Sequence, residues 1–408
     1  MRNKTLTLFS LACLSLVASA DQVPDALARY YRENSGRVLC RLPTWIVPEN
    51  AFHSISNLDF DEATRGVTDR PAGVWHGTWQ TGDALADVPA PLAALTPNWV
   101  KLHAAGLAAS RGEDHVDTVV SRILVEVAKL KAADPDAVPM AFWDFDGTII
   151  KGDVSEGYAK DGVVGFRGLL EETIRAGLCT TYRGEEGWRA FRRDYPTLRR
   201  LGRWLAWPCL GQMYHGTKAA DIDALCRARF RDVYAKWYYA SSVEILRRLE
   251  AAGVENHIIS ASPELFVRNG GASLGLEATR MNGLRVGIDG GYVSTRIEEP
   301  VAMGEGKVEV LRRIVNARPH ARAVAGFGDS YFTDGPFLRY VATQRLPGGA
   351  KGFAMMINGK EKNPEYDGLF LCVSQQKTVA DGVGHAPGTG AGAGLLTADR
   401  LHTCTLAH

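Results

Sequence analysis

The run MAFWDFDGTII, from Met140 to Ile150, constrains this chain more than any other stretch. Its apolar part has the length of a buried strand, bounded by the turn signal ADPDAVP on one side and Gly147 on the other. Two carboxylates, Asp144 and Asp146, close it. A strand alternates faces with period two, so both acids point to one side and Phe145 turns to the core. Gly147 permits a sharp turn, which the Thr148 hydroxyl is placed to hold. Two like charges at the end of a buried strand require a compensating group, and a hard divalent cation supplies one.

Downstream, the amphipathic pattern SSVEILRRLEAAG, closed by Gly253, predicts a helix, and NHIISAS after it a strand. GKVEVLRRIV repeats the helical pattern, and ARAVAGFGDS is a third strand ending in acid. Helix followed by strand, repeated, predicts an α/β fold: a Rossmann-like parallel sheet with helices on both faces. Ligands bind such sheets at the carboxyl ends of the strands. That rule gathers Asp144 and Asp146 from the first strand, Ser260 and Ser262 from the second and Asp329 from the third. Lys307, behind a Gly-Glu-Gly turn, adds an ammonium for an anion. Taken singly these residues mean little. A lone DxD is common in loops, Ser260 alone is a strand-end cap and Lys307 alone a solvated helix start. GEGK is no phosphate-binding P-loop, since Val308 stands where Ser or Thr is required.

Composition is that of a globular protein, 46% hydrophobic and 23% charged with formal charge +1, which gives no electrostatic case for nucleic acid or an anionic membrane. Residues 1–20 read as a secretory signal: Arg2 and Lys4, an apolar run from Leu6 to Val17, then Ala18-Ser19-Ala20 before Asp21. The run is too short to span a membrane, and a lipid anchor at Cys13 fits it less well. Removing residues 1–20 would take the formal charge from +1 to −1, since two basic residues and no acid are lost. Six cysteines would remain (Cys40, Cys179, Cys209, Cys226, Cys372, Cys404), an even number that permits disulfides without selecting a pairing. Their spacing gives no CxxC and no zinc pattern.

DFDGT, IISAS, GEGK and GDSYFTD, in that order, resemble the four motifs of the haloacid dehalogenase superfamily, and within it the phosphatase branch close to phosphoserine phosphatases. The resemblance covers about residues 139–358. It implies that Asp144 is a nucleophile forming an aspartyl-phosphate, and that Asp146 is a general acid and then a base. It implies a Mg²⁺ ion on the Asp144 carboxylate, the Asp146 main-chain carbonyl and Asp329, with Lys307 and Ser260 holding phosphoryl oxygens. The family often spaces its last two acids by four residues. Here Asp334 follows Asp329 by five, so its role is open between orienting a metal-bound water and supporting Lys307. Ser262 is open too, between the anion and a helix N-cap before Pro263. GDSYFTDGPFL in an exported chain, and WPCLGQMYHGTKAADI, also resemble secreted bacterial phosphorylcholine phosphatases, although Gly147 stands where that group has Asn.

The expected organisation is a signal peptide (1–20), a mainly helical extension (21–135), a catalytic core (136–154 and 240–372), a helical cap (155–239) and a Gly-rich flexible tail (373–408). HVDTVVSRILVEVAKLKAA is the clearest helix of the extension. In the cap, Glu156 with Tyr158, Trp204, Trp207 or Tyr214 offers charge and ring faces for a cationic substrate group, against the reading that the aromatics pack the cap's own core. The arginines at 189, 192, 193, 199, 200 and 203 read as a solvated helix face or as a second anion site. The expected function is hydrolysis of a small phosphate ester with Mg²⁺. Phosphoryl transfer to an acceptor alcohol uses the same residues, and a non-catalytic phosphate-ligand binder is the alternative of another class. Oligomeric state is not legible.

Overall fold

The computed structural model describes residues 115–359 except 202 and 299, then 366, 368–375, 378–379 and 401–403. The signal segment 1–20, most of the 21–135 extension, most of the 373–408 tail, Cys13, Cys40 and Cys404 lie outside the described residues.

The chain divides into two compact units. The described part of the second is 115–170, 223–283 and 302 onward; that of the first is 171–222 and 284–301. The second holds the sheet. Helix α1 (His115–Ala133) leads into β1 (Val138–Trp143). After the inserted residues come α6 (Ala240–Ala251), β4 (Glu255–Pro263), the first residues of β5 (Met281–Asp289, most of which belongs to the first unit), α7 (Glu305–Asn316), β7 (Ala321–Gly328), α8 (Gly335–Ala342), β8 (Phe353–Ile357), β9 (Leu371–Val373) and β10 (Leu401–Thr403). Among the described residues the strand order is β10-β9-β8-β7-β1-β4-β5, with β4–β1–β7–β8–β9 parallel and β10 antiparallel at the edge. The expected α/β core is the one found.

Periodicity explains the layers. α1 buries Val116, Val119, Val120, Ile123, Val127 and Leu130, and packs with α6 against one face; α7 and α8 cover the other. β1 is buried on both sides, so its sequence reads as a continuous apolar run. Trp143, the last residue of β1, is fully buried, stacks on Phe327 of β7 at 3.7 Å and donates its indole N–H to Asn256 Oδ1 of β4 at 2.9 Å. Asp144 follows an anchor locked to both neighbouring strands. From β4 the chain crosses β1 to reach β7, which makes β1 the switch point of the sheet, where doubly wound folds bind ligands.

Helices were expected throughout 155–239, but the first part is a β-hairpin, β2 (Gly157–Lys160) with β3 (Val163–Arg167). Asp161 and Gly162 turn it with φ of 51° and 78°, the two positive values that a two-residue hairpin turn demands. Helices α2 (Leu169–Arg175), α3 (Gly184–Leu201), α4 (Arg203–Gln212) and α5 (Ala219–Asp232) follow. A second unexpected hairpin joins β5 to β6 (Tyr292–Glu298) through Gly290 and Gly291, both at positive φ. Inside the first unit, Phe191 stacks on Tyr195 at 5.0 Å, and Tyr214 is fully buried with its hydroxyl 2.6 Å from that of Thr173. Tyr214 is therefore core packing. Arg189, Arg192 and Arg193 are exposed, as a solvated face requires.

Candidate active site

The polar groups predicted at the strand ends meet within the second unit. Asp144 is buried at the end of β1, where its N–H donates to the Phe327 carbonyl at 2.8 Å. Its Oδ1 accepts from Lys307 Nζ at 2.6 Å and its Oδ2 from the Thr148 hydroxyl at 3.3 Å. Phe145 turns into the core, edge-on to Phe230 and Tyr238. The Phe145 carbonyl accepts from the amides of Ile149 and Ile150 at 2.8 and 3.0 Å, folding the loop back under the acids.

Gly147 is fixed by geometry twice over. Its φ is +74°, and a Cβ there would lie 2.0 Å from Asp329 Oδ2. The Asp329 carboxylate, at the end of β7, thus rests against the backbone just beyond Asp146. Asp144, Asp329 and Asp334 bring carboxylate oxygens within 4.8 Å of one another. Such a set of hard oxygen donors fits Mg²⁺ better than a soft metal.

Asp334 resolves the question its spacing raised. Fully buried, it accepts from Lys307 Nζ at 2.6 Å on Oδ1, and from the amides of Asp329 and Ser330 at 3.0 Å each on Oδ2. A Cβ on Gly328 would sit 2.5 Å from the Asp334 Cβ, so that glycine makes room for it. Asp334 therefore supports Lys307 and shapes the loop carrying Asp329. Lys307 is wholly buried on α7, and the turn before that helix is tied to the same loop by the Gly304 amide on the Thr333 carbonyl at 3.0 Å.

Asp146 is clamped separately. Its Oδ1 accepts from the Val154 amide at 2.6 Å; its Oδ2 accepts from Ser262 at 2.7 Å and Ser260 at 3.2 Å. Ser262 makes no N-cap bond to the helical turn after Pro263. Ser155 stands behind it, its hydroxyl donating to Ser262 Oγ at 2.9 Å. Glu156 is exposed on the next loop, its amide donating to Asp153 Oδ1 at 2.9 Å.

Electrostatics follow from burial. Desolvation, then the charge of Asp334, pushes the Asp144 carboxyl up to about 7 against the pull of Lys307. Desolvation, then the charge of Asp144, pushes Asp146 up to about 7 against its three hydrogen bonds. Burial alone would lower Lys307, but the charges of Asp144 and Asp334 outweigh it and hold the ammonium above the ordinary lysine range. The arrangement presents two buried carboxyls poised to exchange a proton near neutrality and a fixed cation between two acids.

Residues 141–339 match the model of the haloacid dehalogenase-like hydrolases. That segment carries the signature of a haloacid dehalogenase-like hydrolase. A comparison with curated proteins finds no match. Among solved structures, the hydrolase is similar to a protein of unknown function from Bordetella pertussis Tohama I (18% identity, 55% of this chain and 92% of that one, TM-score 0.43). It is also similar to a phosphoserine phosphohydrolase-like protein from Francisella tularensis (12% identity, 54% and 87%, TM-score 0.34). A phosphoserine phosphatase in a phospho-aspartyl intermediate analogue is 13% identical over 55% and 88%, with TM-score 0.33. Scores this low carry no argument about substrate. Sequence reasoning passed over Ser155 and the acceptor role of Asp153 in this hydrolase, because neither stands in a motif. The only trace of Asp153 is an acid two residues before a serine, a common turn signature.

Proposed function

We propose that the hydrolase is an exported, Mg²⁺-dependent phosphomonoesterase acting on a small phosphate ester through an aspartyl-phosphate at Asp144. The observation that carries this reading is the separation of the two acids by their partners. Asp144 is paired with an ammonium, which favours the ionised form that a nucleophile needs, and Asp146 is held by neutral donors, as a proton carrier must be. Asp144 attacks phosphorus while the bond to the leaving oxygen breaks, and that oxygen takes the proton of Asp146. In the second half, Asp146 accepts a proton from water, whose oxygen attacks phosphorus and displaces Asp144. Lys307 and Ser260 are the groups to hold phosphoryl oxygens. When bound by Asp144, Asp329 and the Asp146 carbonyl, Mg²⁺ would supply charge neutralisation for the phosphate.

The substrate alcohol is proposed from Glu156, an exposed acid on the loop that leaves the Asp146 clamp. Replacement by Gln should raise KM for phosphocholine or phosphoserine far more than for glycerol 2-phosphate, and equal changes would reject that role. Export is supported by the signal-like residues 1–20 and by the disulfide on Cys372. The test of the central reading is phosphate release from p-nitrophenyl phosphate with Mg²⁺. Asp144→Asn should abolish it, and activity that survives in that variant or in excess chelator would overturn the mechanism.

A further inference from the structure

A carboxylate offers about four in-plane acceptor sites, two on each oxygen. At Asp146 three are taken. The Val154 amide occupies one on Oδ1, and the hydroxyls of Ser260 and Ser262 occupy both on Oδ2. A proton on Asp146 then has one place to sit, the remaining site on Oδ1.

The two serines are not equivalent. Ser260 accepts from the Ser262 amide at 3.0 Å and, on the proposed function, is also wanted by the phosphoryl group. Ser262 is buried, and its hydroxyl is hydrogen-bonded on both sides: it donates to Asp146 at 2.7 Å and accepts from Ser155 at 2.9 Å. Ser155 is buried as well, and its hydroxyl hydrogen is spent on Ser262. The chain Ser155 to Ser262 to Asp146 therefore has a set direction, each hydroxyl donating toward the carboxylate. It joins the loop after β1 to the end of β4, two segments separated by about a hundred residues.

We propose that Ser262, oriented by Ser155, is the positioning residue that keeps Oδ2 of Asp146 occupied, so that the transferable proton is carried on Oδ1. The inference rests on the acid role given to Asp146 above. Without the Ser262 hydroxyl, Oδ2 has an open site once Ser260 turns to the phosphoryl group. The proton can then rest on the wrong oxygen, and proton delivery to the leaving group suffers.

Leaving-group chemistry separates this role from mere packing. An alkoxide needs its proton in the transition state, whereas p-nitrophenolate leaves without one. Rates for glycerol 2-phosphate and p-nitrophenyl phosphate are to be compared in Asp146→Asn, Ser262→Ala and Ser155→Ala with Mg²⁺. We expect kcat/KM, which reports the steps up to the aspartyl-phosphate and so leaves out the base role of Asp146, to fall for the alkyl ester about a hundredfold or more in Asp146→Asn and about tenfold in Ser262→Ala. The aryl ester should lose less than about threefold in Ser262→Ala, which also reports that the variant is folded. Ser155→Ala should show the same selectivity at smaller size, and it decides the matter if Ser262→Ala does not fold. Equal losses on the two esters, or no loss on either, in the serine variant overturn the inference alone if Asp146→Asn remains selective. Equal losses in Asp146→Asn overturn the acid role and the inference together.

Discussion

Asp334 shows how a residue one contact behind the nucleophile sets the geometry of the site. It carries half of the counter-charge for a wholly buried ammonium and also accepts the two amides that turn the chain at Asp329. Asp334→Asn keeps the shape but leaves Lys307 with Asp144 as its sole anion and turns one amide-accepting oxygen into a donor or loses the Lys307 contact. Breaking a buried pair costs about 3–5 kcal/mol. We expect unfolding in urea to show a loss near the lower end of that range, since the amide retains one acceptor. Unchanged stability would mean that Lys307 is not buried as described. The five-residue spacing of Asp329 and Asp334 was visible in the sequence, but its meaning was not. Spacing says that two acids are near one loop; only the direction of Oδ1 and Oδ2 says that Asp334 is the one that holds the lysine. Asp144, Asp146, Lys307 and Asp329 were legible because strand ends of a doubly wound sheet must converge.

At the level of elements, apolar periodicity identified β1, β4, β7, α1, α6 and α7. Both hairpins were missed, and in the first the strands are also short. β2 and β3 have four and five residues, too few for alternation to outweigh the helical signal around them, and part of each is exposed. Their one strong mark is the turn, Asp161-Gly162 in the first and Gly290-Gly291 in the second, which requires φ > 0 at both central positions. A reading weighted toward turn chemistry would have found them. Helix α1 shows the converse, a periodic element whose place was not legible. Residues 115–133 sit at the end of what reads as an extension, yet they pack on the sheet, and the Lys351 amide donates to Glu126 at 2.8 Å. Ile123 is fully buried in that interface. Ile123→Ala should therefore cost the catalytic unit about 2–4 kcal/mol in urea unfolding, a core-sized loss. A change within about 0.5 kcal/mol would place α1 outside the cooperative core.

Across the molecule, the buried acids make stability depend on pH and on metal together. Asp144 and Asp146 are raised to about 7 in the fold from the ordinary carboxylate range, so the folded state holds protons that the unfolded state has lost. That contribution is fully present below about pH 4 and disappears as pH rises through 7. A cation on the same carboxylates favours their ionised form, so Mg²⁺ should raise the melting temperature more at about pH 8 than at about pH 5.5. An equal or larger shift at the lower pH would contradict the site. The sheet order has a further consequence, one of time. β1 pairs with β4 and β7, and about 180 residues separate Val138 from its partner Ala321. At ribosomal speeds of roughly 5–20 residues per second, the strand that carries Asp144 waits on the order of ten to forty seconds for its second neighbour to be made. Through that interval VPMAFW is an apolar segment with open edges, so the stretch most committed to catalysis is also the one that a newborn chain most needs a chaperone to cover.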